Sequence, residues 1–280
     1  MIKLCIAGKN NIAVNSLEYI LKNHFKPDQV AVIPNKNDFG VDSWQKSLLH
    51  YAFNNHIKVI TLEEAYELKQ IIFFSLEFDR IVKVEKFKSD KLFNMHFSAL
   101  PKYKGVFTSI TPILNNEVES GVTLHCIDNG IDTGNIIDQY IFPININDTA
   151  RDLYFNYLSY GEYLFKKNIQ RIINNTYENF KQNNISSSYF SRQDININHK
   201  INFKKTSFEI HNQIRAFIFK EYQLPSINKT KIIKSTLTNE FIGYNMFEEF
   251  EEYFMISGID GFKIIAQKYN AELEHHHHHH

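Results

Sequence analysis

The stretch IIFFSLEFDRIVKVEKFKSDKLFNMHFSALP, residues 71–101, contains two short apolar segments that decide the fold. The first, residues 71–76, is apolar almost throughout, which is typical of a strand buried on both faces of a parallel sheet. The second, residues 91–100, carries Asn94 and His96 among large apolar side chains. In a strand these two polar residues share one face, because side chains alternate, while phenylalanine and methionine occupy the other.

The residues before this stretch alternate between short apolar strands and helices. We predict strands at residues 2–7, 29–33 and 58–62, and helices at residues 12–25, 43–55 and 63–68, with Ser43 as a helix cap. This alternation favours an α/β fold with a Rossmann-like, doubly wound, mainly parallel sheet.

The pattern changes after the second apolar segment. Strands are predicted at residues 121–127 and 135–144, and the short turn-rich joint between them favours antiparallel pairing. A long helix follows at residues 148–174, with Asp148 as its N-cap. The polar stretch 174–188 is rich in Asn and Ser, and we predict that it is a linker.

The last third of the chain predicts a smaller α+β region. Residues 206–209 form a capping box for a helix that runs to about Phe219. Strands at residues 231–237 and 253–268 include a β-hairpin. The predicted divisions are a catalytic domain, a small C-terminal region and an expression tag, at residues 1–184, 185–272 and 273–280.

Composition argues against several classes of protein. The 280 residues carry 31 basic and 31 acidic side chains, so no net charge attracts nucleic acid or an anionic membrane. No apolar run of about 18 residues is present, so we expect no membrane span. Residues 1–8 predict a strand rather than a signal peptide. Cys5 and Cys126 lie in apolar runs typical of reduced thiols, so we expect a cytoplasmic protein.

Asn94 and His96 combine an amide donor with a proton carrier, which predicts an acyl-transfer site. Asp132, in the turn-rich joint, is a candidate third member, since a carboxylate near an imidazole orients the ring and favours its protonated form. No histidine pair has the spacing of a helical metal site and no strong nucleophile stands out. We therefore predict no catalytic metal and direct transfer between bound substrates. Gly8-Lys9-Asn10 is not a dinucleotide motif, and a phosphate contact and a solvated turn fit it equally.

Several spaced motifs resemble the formyltransferase family that uses N10-formyltetrahydrofolate. They are Asn94-x-His96, the following FSALPxYxG, GVTLH at residues 121–125, and Asp132-Thr133-Gly134. The resemblance implies the formyltransferase fold, with Asn94, His96 and Asp132 as the catalytic trio. It also implies N10-formyltetrahydrofolate as co-substrate, whose pterin contacts the backbone of two loops. The implied co-substrate residues are Ser75, Glu77, Phe78, Asp128 and Ile131.

Within that family the chain is most similar to bacterial sugar N-formyltransferases, which act on nucleotide-linked amino sugars. Residues 75–82 and 214–225 carry this resemblance. The narrower expectation is dTDP-4-amino-4,6-dideoxy-D-glucose, formylated for O-antigen or another surface polysaccharide. The residues leave open the nucleotide base and the choice between a C3 and a C4 amine. The implied substrate contacts are Lys9, Asn10, Lys102, Tyr103, Tyr222 and Gln223.

Other functions remain as alternatives. A methionyl-tRNA formyltransferase needs a basic RNA-binding surface, against which the balanced charge and the acidic run 248–252 argue. A formyltetrahydrofolate hydrolase uses the same trio with water in place of the amine. A phosphoribosylglycinamide transformylase leaves the last third of the chain unexplained, and a non-enzymatic binding module has no need of the trio.

The C-terminal region carries more aromatic side chains than a small hairpin requires for itself. An aromatic surface of this kind favours association, and the family resemblance also implies it. We therefore expect a homodimer that uses this segment. The residues concerned are Phe241, Tyr244, Phe247, Phe250, Tyr253 and Phe254.

Overall fold

The computed structural model describes residues 1–272, and the predicted expression tag lies outside the described residues. The chain forms two compact units. The first consists of Met1–Gly105, Gly121–Ile141 and Asn156–Tyr189. The second consists of Val106–Ser120, Phe142–Phe155 and the described residues from Phe190 onward. The domain boundary between residues 184 and 185 stays a prediction.

The bounds of the strands and helices follow in chain order. They are β1 (Leu4–Gly8), α1 (Asn10–Asn23), β2 (Val30–Pro34), α2 (Leu48–Asn54), β3 (Lys58–Val59), α3 (Leu62–Tyr66), β4 (Ile72–Leu76), β5 (Leu92–His96), β6 (Lys104–Gly105), α4 (Thr111–Leu114), β7 (Glu119–Cys126), β8 (Ile136–Pro143), α5 (Ala150–Ile173), β9 (Tyr189–Phe190), α6 (Ser207–Arg215), β10 (Ser226–Ile227), β11 (Thr230–Phe241), β12 (Phe247–Glu249), β13 (Tyr253–Ile256) and β14 (Phe262–Lys268). Within residues 1–272, no helix has the length and apolar character needed to cross a membrane.

A seven-stranded sheet has the strand order β3-β2-β1-β4-β5-β7-β8. The neighbouring pairs from β3 to β5 are parallel, and β7 pairs antiparallel with β5. The predicted doubly wound, mainly parallel α/β sheet is therefore confirmed. The strand order reverses at β1, because β2 and β3 lie on one side of it and β4 and β5 on the other. Ligands of such sheets bind at the carboxyl ends of the strands near this reversal.

One face of this sheet is closed by α5. The ring of Phe74 in β4 meets that of Phe165 edge to face at 4.8 Å. Phe97, directly after β5, stacks on Tyr157 at 5.2 Å. Fully burying a side chain such as Phe74 contributes about 2 kcal/mol, because apolar area leaves water.

The opposite face packs against α3 and the segment that precedes β5. This cluster comprises Cys5, Ala7, Ala31, Ile33, Ile60, Leu62, Ala65, Tyr66, Ile71, Phe73, Val82, Phe87 and Leu92. Leu92 is the last strand residue of the cluster along β5. Because side chains alternate, Asn94 and His96 continue the same face towards the carboxyl end of the strand. The polar pair therefore borders directly on an apolar core.

Helix α2 begins later than predicted. Ser43 is not its cap, because the Ser47 hydroxyl accepts the His50 N–H at 3.0 Å. The Ser47 hydroxyl in turn donates to Asp38 at 2.5 Å. The sequence contains a serine at both positions, and the contact with Asp38, nine residues before Ser47, selects the second.

The second unit contains one helix cap that was predicted wrongly and one that is confirmed. Asp148 accepts a backbone N–H of the loop before α5 instead of capping that helix. Thr149 and Asp152 exchange the capping hydrogen bonds there. Thr206 and Glu209 form the predicted capping box at the start of α6.

The second unit also contains a five-stranded antiparallel sheet, with the order β10-β11-β14-β13-β12. It includes the predicted β-hairpin, in which β13 pairs with β14. Helix α6 ends at Arg215 rather than at Phe219, because the chain turns back and Phe219 bridges to Gln223. The core between α6 and the sheet comprises Ile210, Ile214, Ile218, Ile227, Ile232, Phe254, Ile256, Ile264 and Ala266.

The predicted linker at residues 174–188 is instead an ordered segment of the first unit. Phe180 exchanges two backbone hydrogen bonds of 2.8 Å with Ile136 at the start of β8. Gln182 is only 8% exposed. The segment then leads into β9, which pairs with β6. Its polar side chains suggest a linker in the sequence, but two of them, Gln182 and Ser188, bind backbone groups of neighbouring loops.

Candidate active site

A row of polar side chains crosses the sheet near the carboxyl ends of β4 and β5. Ser75 of β4 lies beside Asn94 of β5, and Asn94 lies opposite His125 of β7. Two residues further along β5, His96 lies opposite Thr123. Registered partners occupy the same face of a sheet, so His125 joins the predicted pair Asn94 and His96.

The loop between β7 and β8 brings Asp132 into contact with this row. Its Oδ2 atom lies 3.4 Å from His96 Nδ1 and accepts the Gly105 N–H at 2.9 Å. Its Oδ1 atom accepts from Asn94 Nδ2 at 3.4 Å and lies 3.7 Å from His125 Nε2. The structure therefore brings together the three residues predicted as a trio.

The environment of Asp132 holds it as a carboxylate. Burial raises its pKa, but the charge of His96, the nearby ring of His125 and a hydrogen bond from the Gly105 N–H outweigh this and lower the pKa to about 2. An ionised carboxylate only accepts hydrogen bonds, so its neighbours must present donors. The backbone of Asp132 is left-handed, with φ at 56°. Such a conformation persists when surrounding contacts enforce it.

Both ring nitrogens of His96 face acceptors. Nε2 lies 2.8 Å from the carbonyl oxygen of Tyr103, which only accepts, so Nε2 carries a hydrogen. Nδ1 faces the carboxylate of Asp132, so a hydrogen on Nδ1 also has an acceptor in place. His96 is 8% exposed. Both ring nitrogens therefore have acceptors in place, and the ring is largely shielded from water.

His125 is a member of the site that was not predicted from the sequence. Its Nδ1 donates to the carbonyl oxygen of Cys126 at 2.8 Å, so Nε2 of the neutral ring is an acceptor. Nε2 takes a hydrogen bond from Asn94 Nδ2 at 3.1 Å. The Asn94 amide thus directs its hydrogens at His125 and Asp132. The available signal was alternation along the predicted strand, which gives His125 the same face as Thr123.

The first group of predicted co-substrate residues follows β4, one neighbour of β5. Ser75 lies beside Asn94 in the sheet. Glu77 has a left-handed backbone, with φ at 62°, and its carbonyl oxygen accepts from Asn35 Nδ2 at 2.9 Å. Arg80 lies over the ring of Phe78, 4.5 Å from its centroid. These contacts help to hold the loop beside the trio.

The second group follows β7, the other neighbour of β5. Asp128 Oδ1 accepts from the Gly130 N–H at 3.0 Å and from the Thr133 hydroxyl at 2.5 Å. Ile131, at the tip of this loop, is 39% exposed. These internal bonds order the loop that carries Asp132. Because β4 and β7 are the two neighbours of β5, the two predicted groups lie on either side of the strand that carries Asn94 and His96.

The predicted substrate residues of the first unit differ in accessibility. The Lys9 N–H donates to the carbonyl oxygen of Leu76 at 3.2 Å, and Asn10 has a left-handed backbone, with φ at 67°. Lys102 is exposed. Tyr103 is only 7% exposed, and its carbonyl oxygen contacts His96. Tyr103 therefore reaches the trio through its backbone.

Tyr222 and Gln223 lie in the second unit, in the tight turn after α6. The Gln223 N–H donates to the carbonyl oxygen of Phe219 at 2.8 Å, and its side chain donates to that of Phe217 at 3.3 Å. The ring of Tyr222 lies 4.6 Å from that of Phe219 and the residue is 58% exposed. Tyr222 therefore offers an aromatic surface, while Gln223 closes the turn.

Over residues 1–272, no group of three or more His, Cys, Asp and Glu side chains is arranged to hold a metal ion.

A profile of the formyl transferase family matches residues 79–169. The chain is 79% identical to a solved structure of WlaRD, described as a sugar 3N-formyl transferase in the presence of dTDP and 5-N-formyl-THF. That match covers 96% of this chain and 98% of WlaRD, with a TM-score of 0.96.

Two curated relatives are more distant. The bifunctional polymyxin resistance protein ArnA of Wigglesworthia glossinidia brevipalpis is 33% identical over 152 residues, which is 54% of this chain and 23% of that protein. The methionyl-tRNA formyltransferase of Alkaliphilus oremlandii is 33% identical over 153 residues, 51% of this chain and 48% of that protein. The matches thus span about a quarter and about half of these relatives.

The fold and the site together define an α/β group-transfer enzyme. The doubly wound sheet presents an amide, two imidazoles and a carboxylate beside the carboxyl ends of neighbouring strands, where they can stabilise charge and carry protons. The chain belongs to the formyltransferase family, as its motifs predicted.

Proposed function

We propose that this enzyme transfers the formyl group of N10-formyltetrahydrofolate to the amino group of a dTDP-linked amino sugar. The observation that carries the proposal is the 79% identity to WlaRD over 96% of the chain. The methionyl-tRNA formyltransferase of A. oremlandii is 33% identical over 51% of the chain. This similarity supports formyl transfer as the reaction but does not identify the acceptor.

We place the acceptor amine on C3 of the sugar. WlaRD is described as a sugar 3N-formyl transferase, and its similarity to this chain extends over almost the whole length of both. The narrower expectation from the sequence was a C4 amine on a dTDP-linked dideoxyglucose, with C3 and C4 both left open. The C4 amino sugar is therefore the alternative that an assay has to separate.

When bound, the co-substrate supplies a formyl carbon that exchanges its bond to N10 for a bond to the sugar amine, while one proton passes from the amine to N10. Asn94 and His96 donate hydrogen bonds to the formyl oxygen as it gains negative charge. Each such donor is worth about 3 kcal/mol in acyl-transfer sites. Asp132 orients His96 and supports its positive form, and these two residues carry the proton, through water where they do not reach it.

The hydrogen-bond donors of the trio already have acceptors in the protein, so the proposed reaction includes an exchange of these acceptors for the formyl oxygen. His96 Nε2–H binds the carbonyl oxygen of Tyr103, and the Asn94 amide binds His125 and Asp132. A developing oxyanion is a stronger acceptor than the neutral carbonyl or the neutral imidazole nitrogen. The exchange therefore becomes favourable as charge develops, which stabilises the transition state more than the resting enzyme.

The two loops beside the trio suit a folate. The loop after β4 is bound by Asn35 and the loop after β7 is closed by an internal hydrogen bond, so little ordering accompanies binding. The half-exposed Ile131 supplies an apolar wall, while the loop backbones supply donors and acceptors for a pterin. We propose that the pterin contacts Ser75, Glu77, Phe78, Asp128 and Ile131.

The proposed sugar-nucleotide contacts follow from charge and exposure. Lys9 and Lys102 are cations that suit a pyrophosphate. The exposed ring of Tyr222 suits a nucleotide base. Asn10, Tyr103 and Gln223 complete the proposed set, with Tyr103 acting through its backbone.

Formyl transfer to methionyl-tRNA is the first competing function. The acidic strand β12 is exposed at all three of its residues, and such a surface repels RNA. Hydrolysis of the co-substrate is the second, because the same trio can activate water in place of an amine.

A formyl-transfer assay with N10-formyltetrahydrofolate separates these functions. The acceptors are a dTDP-3-amino sugar, the matching dTDP-4-amino sugar, methionyl-tRNA and water alone. We expect the fastest transfer to the 3-amino sugar, and transfer at least about 100-fold slower by the Asp132→Asn variant used as the control. Preference for the 4-amino sugar would move the acceptor amine to C4. Transfer to tRNA, or folate cleavage that no sugar accelerates, would contradict the proposal.

We also propose a homodimer through the aromatic C-terminal segment. Phe241 and Tyr244 are 56% and 66% exposed, and Phe247 is 44% exposed. Phe254, predicted with them, is fully buried in the core of its own sheet and is not available. Light scattering at micromolar concentration tests this proposal, and a monomeric mass would contradict it.

The proposed setting is the cytoplasm, in the synthesis of O-antigen lipopolysaccharide or another surface polysaccharide. Cys5 and Cys126 are both free thiols, which suits a reducing compartment. Loss of the formylated sugar from surface polysaccharide in a strain that lacks this enzyme tests the assignment.

A further inference from the structure

One segment of the first unit contacts both of the groups that face the ring of His96. We call residues 180–188 the strap. The Ser188 hydroxyl accepts the Tyr103 N–H at 2.8 Å, next to the carbonyl oxygen that binds His96 Nε2. Gln182 binds the loop that carries Asp132, which faces His96 Nδ1. The strap therefore holds an acceptor on each side of the ring.

Gln182 makes the more specific of these contacts. Its Nε2 atom donates to the carbonyl oxygens of Asp132 and Gly134, each at 2.8 Å. Both amide hydrogens are thereby used, and both act on the same loop. Its Oε1 atom is buried and has no hydrogen-bond partner. An unpaired buried oxygen destabilises the folded protein. The two donated hydrogen bonds must therefore outweigh this effect for an amide side chain to be favourable at this position.

The loop that Gln182 holds has little freedom to shift without breaking contacts of Asp132 in the active site. Asp132 is in the left-handed region, with φ at 56°. A Cβ atom on Gly134 would lie 1.6 Å from the carbonyl oxygen of Cys126, so the loop passes very close to the end of β7. The carboxylate of Asp132 meets four groups within 3.7 Å. A displacement of about 1 Å in such an arrangement can lower turnover by about 100-fold.

We propose that Gln182 is a positioning residue for the formyl transfer proposed above. It fixes the backbone on both sides of Thr133 and so keeps the Asp132 carboxylate directed at His96, without contacting substrate itself. Ser188 performs the corresponding task for the carbonyl oxygen of Tyr103. The proposal rests on the proposed function for its catalytic consequence, whereas its structural consequence can be measured separately.

The first test removes the amide and measures hydrogen exchange together with activity. In Gln182→Leu we expect the Gly105 amide, which donates to Asp132, to exchange at least roughly tenfold faster, because the loop can open locally. Turnover should fall roughly 10- to 100-fold with little change in KM for the sugar nucleotide. The matched control is Gln213→Leu, since Gln213 also donates to two carbonyl oxygens, those of Asn202 and Glu209. This control should leave both quantities unchanged.

The second test asks whether Gln182 acts through Asp132. If it does, Gln182→Leu should lower turnover no further in an Asp132→Asn background, since positioned residues that act as a unit are not additive. Full additivity of the two losses would overturn the proposal. An unchanged exchange rate of the Gly105 amide in Gln182→Leu would overturn it as well. If the parent enzyme formylates no amino sugar, the proposed function fails, and the exchange rate still tests the strap.

Gln182→Glu covers the case in which the leucine variant does not fold. An ionised glutamate has nearly the same shape but offers no donor to the two carbonyl oxygens, whereas a protonated glutamate offers one. Its turnover relative to the parent should therefore be low at pH 8 and should rise as the pH falls towards 5. A ratio that does not change with pH, in a variant whose Gly105 amide keeps the exchange rate of the parent, would contradict the positioning role.

Discussion

Asp132 is the residue at which the interactions of the site converge. It accepts from Asn94 and from the Gly105 N–H, and it faces both His96 and His125. Its pKa of about 2 means that it is ionised at neutral pH in the resting enzyme. The resting site therefore contains a negative charge beside the two imidazoles.

Asp132→Asn should lower turnover by at least about 100-fold, because the amide cannot support the positive form of His96. The sugar-nucleotide KM should change much less, since the side chain of Asp132 contacts the other two members of the trio. The measurement is the pH profile of turnover for the parent and the variant. Because the pKa of Asp132 is about 2, no loss of parent activity between pH 7 and pH 4 belongs to this group. Near-parental turnover in a folded Asp132→Asn protein would contradict the proposed mechanism.

At the scale of single elements, the start of α6 was predictable because the cap and its partner lie within one turn. Thr206 and Glu209 are three residues apart and form the predicted capping box. The start of α2 depends on Asp38, nine residues before Ser47, and was missed. Local patterns report local hydrogen bonds, and more distant partners have to be found in the folded chain.

Thr206→Ala should destabilise α6 by about 1 kcal/mol, because the Glu209 N–H loses its acceptor at the helix start. Thr206→Ser keeps the hydroxyl and is the matched control. The measurement is the hydrogen-exchange free energy of the α6 amides, which reports local opening of this helix. Equal protection in the alanine and serine variants would show that the cap contributes little to the stability of α6.

The strap illustrates the opposite case at the same scale. A run of Asn, Ser and Lys residues predicts a solvated linker, because such residues are usually exposed. Here Gln182 and Ser188 satisfy backbone groups of two other loops. Those backbone groups do not appear in any sequence pattern, so composition alone could not separate a strap from a linker.

At the scale of the whole molecule, acid stability depends on a buried histidine in the second unit. His211 is fully buried, donates from Nε2 to the carbonyl oxygen of Ile146 and accepts from the Ser235 hydroxyl at Nδ1. Burial lowers its pKa to about 4, although the Ile146 hydrogen bond opposes this and Arg215 adds to it. The folded state therefore favours the neutral ring.

We expect stability to fall as the pH drops from about 6.5 to about 4, because unfolded His211 binds a proton in this window and folded His211 does not. One group contributes at most about 1.4 kcal/mol per pH unit to this slope. In His211→Gln the slope of unfolding free energy against pH should decrease over this window. It should not vanish, because burial also lowers the pKa of His24 and His199. An unchanged slope in urea unfolding would contradict this assignment. Below about pH 4, protonation of Asp132 removes further stability as the pH falls towards 2.

The sequence by itself determined the sheet and the pair at its centre. Apolar runs of five or six residues separated by helices lead to a doubly wound sheet, because only burial on both faces accommodates them. Alternation along β5 places Asn94 and His96 on one face without reference to any other part of the chain. Several spaced motifs, that of Asp132 among them, together indicated the family and with it the predicted trio.

Only the tertiary structure decided how that site is assembled. Asp132 lies 38 residues from Asn94 and 50 from Gln182, and His125 lies 31 residues from Asn94. These contacts depend on strand register, on a left-handed backbone at Asp132 and on a loop held from outside by the strap. Each is a long-range outcome of packing, and residue patterns within a short window carry no information about it. The direction of every donor in the site was therefore decided by the fold.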